Sequence, residues 1–128
     1  GRIIIMAFLD NRVFDNGLTI LDTEANVVHV TSAEATTYTA ATNTLSLGNS
    51  TSLSIAAPSD RSGGGRKVTV SAISDGSITG TGTVTHYALV DTTNTRLLAT
   101  AALTASQSVT SGNTFTLASF DIGIPDPT

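Results

Sequence analysis

The sequence contains no cysteine and no tryptophan, and only 12% of its 128 residues are charged. Without cysteine there is no disulfide framework, no thiolate metal site and no thiol nucleophile. The aromatic inventory is two tyrosines (Tyr38, Tyr87) and four phenylalanines (Phe8, Phe14, Phe115, Phe120). Modules that read sugars commonly do so with flat rings, so this scarcity lowers a lectin-like reading without removing it. A net charge of −4 and a pI near 4.7 give no general attraction to phosphate backbones. Basic residues gather only at Arg61, Arg66 and Lys67, which argues against a nucleic-acid partner. Long apolar runs are also missing. The stretch "IIIMAFL" at residues 3–9 follows Arg2, but it falls far short of the roughly 20 residues that cross a bilayer. It also lacks the small-residue cleavage site of a secretory signal. No membrane partner is expected, and the chain reads as soluble and mature, with Met6 a candidate initiator.

What is present is threonine and serine, together more than a quarter of the chain. A Thr-rich, Lys-poor composition favours strands over helices. At 13.0 kDa the length suits one domain with one core. Asn16-Gly17 in "FDNGL" and Asp75-Gly76 in "ISDGSI" predict tight hairpins, because both central positions of such a turn need positive φ. "VDTTNTR" and "TSGNTF" predict longer reversals. Between turns the apolar residues alternate: Leu45 and Leu47; Leu53 and Ile55; Val68 and Val70; Leu97, Ala99 and Ala101. Period two puts alternate side chains on one face of a strand. Strands are expected near 67–74, 80–91, 95–104 and 114–122 as a meander, the last with a mixed parity that suggests a bulge or two-sided burial. One short helix is expected around residues 33–41, capped by Ser32. "PSDRSGGGR", residues 58–66, reads as a flexible loop. With no long helix to cover a sheet, the cover is a second sheet. The expected fold is all-β, a single antiparallel β-sandwich over residues 1–128 of jelly-roll or immunoglobulin-like type with at most one short helix. Residues 1–9 form an apolar strand or arm, paired within the chain or exchanged with a neighbour.

The candidate chemistries are thin. "GTGTVT" holds two glycines of a dinucleotide fingerprint, but the third is missing and no helix follows, so a bulge or close backbone approach is the better reading. "GGGRK" lacks the Walker frame. His29 and His86 sit in alternating strands without a nucleophile or metal frame around them, and read as surface or satisfied strand histidines. Asp10, Asp15 and Asp22 are spaced like an acidic cluster, yet the register of a calcium loop is absent. The residues therefore name no catalytic, cofactor-binding or metal site, and no enzyme is expected.

The stretches "MAFLDNRVFDNGLTILDTEAN", "TYTAATNTLSLGNSTSLSIAAPSDRSGGGRKVTVSAISDGSITGTGTVTHYALVDTTNTRLLAT" and "SGNTFTLASFDIGIPDPT" together resemble a family of small proteins encoded among the virion genes of tailed bacteriophages. The resemblance implies a structural part of a virion: a capsid decoration, head fibre or tail accessory protein. It implies other virion proteins as partners, homo-oligomers, and assembly in the host cytoplasm. It carries over no catalytic residue. The alternative is a β-sandwich module that binds host glycans.

Overall fold

The computed structural model describes residues 17–62 and 65–124, together with the backbone of residues 7–9. Ten strands follow one another: β1 (Ala7–Leu9), β2 (Val27–Thr31), β3 (Ser46–Ser50), β4 (Ser59–Asp60), β5 (Arg66–Val70), β6 (Ile73–Ile78), β7 (Gly82–Asp91), β8 (Arg96–Val109), β9 (Thr114–Leu117) and β10 (Phe120–Ile124). They form a seven-stranded sheet, ordered β1-β8-β7-β2-β3-β6-β9, and a three-stranded sheet, ordered β10-β5-β4. Each of these pairings is antiparallel. The fold is an all-β antiparallel sandwich of two unequal sheets. Of the apolar arm, Ala7–Leu9 pairs with Ala101, Thr100 and Ala99 of the chain's own β8; residues 1–6 lie outside the described residues.

The period-two pattern explains the core. Val28, Val30, Tyr87 and Leu89 of the large sheet meet Val68 and Val70 of the small one, and all six are buried. Opposite those valines, Phe120 and Ile122 of β10 complete the small sheet's inner face. Burying a Val or Leu side chain contributes about 1.5–3 kcal/mol, so this interior dominates stability. The large sheet is apolar on its second face as well. Ala88, Val90 and Leu97 pack there against Ala35 and Ala41. The segment that covers them, residues 32–45, contains a π-helical turn (Ala40–Thr44) closed by the Leu45 N–H donating to the Ala40 carbonyl at 2.9 Å. Thr37 Oγ1 accepts from the Ala40 N–H at its start, so Thr37 caps it and not Ser32.

A second helical segment, α1 (Thr19–Glu24), occupies the place where Gly17 was expected to lead into a strand. Two short helical segments therefore replace the single one expected. Leu18, Leu21 and Ala25 lie three and four residues apart, a helical stripe that overlies the alternation of Leu18 and Ile20, and all four pack into the core. Asn16 lies outside the described residues, while Gly17 does take a positive φ of 73°. The hairpin expected at Asp75-Gly76 is also absent, since both residues lie inside β6. Gly76 stands opposite Phe115, and a Cβ there would run into the Phe115 ring. Glycine here makes room for an aromatic ring and serves no turn. Residues 58–66 hold β4 and the first residue of β5, with Asp60 opposite Arg66 and their side chains paired at 2.7 Å; residues 63 and 64 lie outside the described residues. The meander holds only for β7 and β8, which the Asp91 carboxylate helps to reverse by accepting from the backbone N–H of Thr93 and Asn94. The mixed strand at 114–122 resolves into two. Its parity changes at Ala118-Ser119, where the chain leaves the large sheet as β9 and enters the small one as β10.

Candidate functional site

The glycines of "GTGTVT" serve packing. A Cβ on Gly80 or Gly82 would touch the Leu47 side chain at 3.4 and 3.2 Å. The Thr79 and Gly80 N–H groups both donate to the Leu47 carbonyl, at 2.8 and 3.1 Å. Those donors are spent on β3 and do not cradle a phosphate.

The histidines lie on adjacent strands and on the same face, because His29 stands opposite Ala88 and Thr31 opposite His86. Each has a hydroxyl partner. His29 Nδ1 shares a hydrogen bond with Ser46 Oγ, and His86 Nδ1 with Thr85 Oγ1, both at 2.8 Å. Burial pushes the His29 pKa down, since the imidazolium would lose water. Among the described residues no three His, Asp or Glu side chains gather as metal ligands. Asp22 lies in the first turn of α1, while Asp10 and Asp15 are outside the described residues.

Two other features stand out. In β8, Gln107 pairs with Val84 and Ala102 with His86, so residues 103–106 bulge out opposite Thr85. Val84 packs into the main core, while Ala88 and Val90, at the same parity of β7, join the second cluster. Beside it, between β8 and the β9–β10 corner, lies a groove of about 310 Å³. Bulges re-aim side chains, and this one turns Leu103 and Thr104 toward the groove. Tyr87 and Phe120 form its aromatic wall, with ring centroids 4.5 Å apart and planes tilted by 41°. The Tyr87 pKa is pushed up to about 12 by burial, which keeps the phenol neutral and able to donate. On the opposite face of β10, the Asp121 carboxylate accepts from Thr69 Oγ1 at 2.7 Å and Lys67 Nζ at 3.2 Å. These bonds, Thr69 first, hold its pKa below the usual value.

The second feature is a surface without charge. From Leu97 to Phe120 the chain carries no charged side chain. Residues 104–108 and 110–114 of this stretch are exposed, forming a face of Ser, Thr, Ala, Gly, Gln and Asn. Neither feature shows as a motif in the sequence. The charge gap was visible as a count, whereas the groove depends on two strands of mixed parity meeting at a corner. No protein family, curated protein or solved structure matches the chain.

Proposed function

We propose that this protein is a non-enzymatic structural component of a bacteriophage virion, docking on the capsid or tail and self-associating. The observation that carries this reading is the uncharged exposed face from β8 to β9. Interface cores are depleted in charge, and small side chains lose little rotamer freedom when they are covered. Such a face packs against a neighbour without stranding an ion away from water. Weak contacts of this kind become strong when many copies occupy one lattice. The resemblance to virion-gene products supplies the setting. Mass spectrometry of purified particles is expected to find the protein at a fixed copy number per particle, and its absence from them would overturn the proposal.

A second reading, a glycan-binding module, is favoured by the groove with its tyrosine and phenylalanine wall. The two readings differ in what they need. Docking needs the neutral exposed surface, whereas glycan recognition needs a concave site with polar groups aimed inward.

A further inference from the structure

From the groove we infer a binding site for a single neutral, hydroxylated ring, one pyranose unit of a glycan; the inference rests on the second reading above and does not depend on the virion role. Its volume of about 310 Å³ is at the small end of ligand sites, enough for one ring and too little for a branched chain. Tyr87 is only 8% exposed, and among the described residues its hydroxyl has no hydrogen-bond partner. That hydroxyl is not sealed from solvent, the buried unmatched side-chain atom among the described residues being Thr100 Oγ1, so its donor and acceptor face water and are open to a ligand. Phe120 beside it is half-buried, leaving ring surface available on the same wall.

The remaining wall decides which ligand class fits. Thr104 and Ser119 add exposed hydroxyls at the rim. A pyranose matches both kinds of surface, since its C–H face lies on an aromatic ring while its hydroxyls exchange bonds with phenols and alcohols. An apolar side chain from a partner protein would fill the volume but cover the Tyr87 hydroxyl without giving it a partner. An acidic sugar would bring negative charge to a chain of net charge −4.

The test is a titration of the isotope-labelled protein with a panel of neutral and acidic monosaccharides, followed by NMR, alongside Tyr87→Phe and Phe120→Leu. Tyr87→Phe keeps the buried ring, so the fold survives, and thermal melts verify that. Neutral sugars are expected to shift Phe120, Ser119 and Leu103 resonances at saturable millimolar affinity. Loss of the hydroxyl should weaken that binding roughly threefold to tenfold. Preference for acidic sugars, shifts confined to another face, or unchanged affinity in Tyr87→Phe would each overturn the site while leaving glycan binding as such standing. No shift with any sugar would remove both the site and the second reading. None of these results bears on whether the protein is present in particles.

Discussion

Burial strips water from the His29 imidazole, and its protonated form loses more by this than its neutral form. The folded-state pKa therefore lies below the ordinary histidine value of 6.5, and the unfolded chain binds the extra proton first. Stability should be level above about pH 6.5 on this account and fall as pH drops below it, well before the carboxylates titrate. Urea midpoints between pH 7.5 and 5 test this, with His29→Asn expected to flatten the slope. Thr100 raises a related point. It is 1% exposed, and among the described residues its Oγ1 has no hydrogen-bond partner. Thr100→Val keeps the shape and removes the unmatched hydroxyl, so it should stabilise the protein by about 1 kcal/mol in chemical denaturation. Neither histidine offered more than an alternating pattern in sequence. That His29 is buried and His86 only partly so follows from the segment 32–45 folding over that face, a tertiary event no local pattern encodes.

Elements differ in how much of them a linear pattern carries. Strands β5, β7 and the first half of β8 were legible because β-branched and apolar residues alternate there between turn signals. Asp75-Gly76 misled because the residue pair that suits a reversal also suits a bulged strand crossing an aromatic ring. The distinction lies in Phe115, distant in the chain, and it yields an experiment. Gly76→Ala should displace the buried Phe115 ring and cost about 1–3 kcal/mol, read as a lowered thermal midpoint. A hairpin glycine with positive φ would be penalised too, so the second readout is the ring itself. A crystal structure or aromatic NMR shifts of the variant should show Phe115 moved, with β6 still paired to β9. The helix α1 was missed for a similar reason: "LTIL" satisfies both periods, and only packing against the core selects 3.6.

At the scale of the whole molecule the uncharged face is a surface with a direction. Placing charge in its middle leaves the core untouched, since residues 104–108 are exposed. Ser106→Lys should keep the unfolding free energy within about 0.5 kcal/mol of the parent in chemical denaturation. If the face mediates assembly, the same variant should reduce self-association in sedimentation velocity and lower incorporation into particles, with Ser59→Lys on the small sheet as the control. The gap in charge was countable from the start, but its meaning required knowing that β8, the following turn and β9 are adjacent and exposed. The two unequal sheets are joined at Ala118-Ser119, where one strand ends and its continuation enters the opposite layer. During synthesis both layers must wait for that stretch, because β9 closes one margin and β10 supplies the partner of β5. A ribosome-stalled chain lacking residues past 117 would thus expose Val68 and Val70, and native closure belongs to the moments after those last strands clear the exit tunnel.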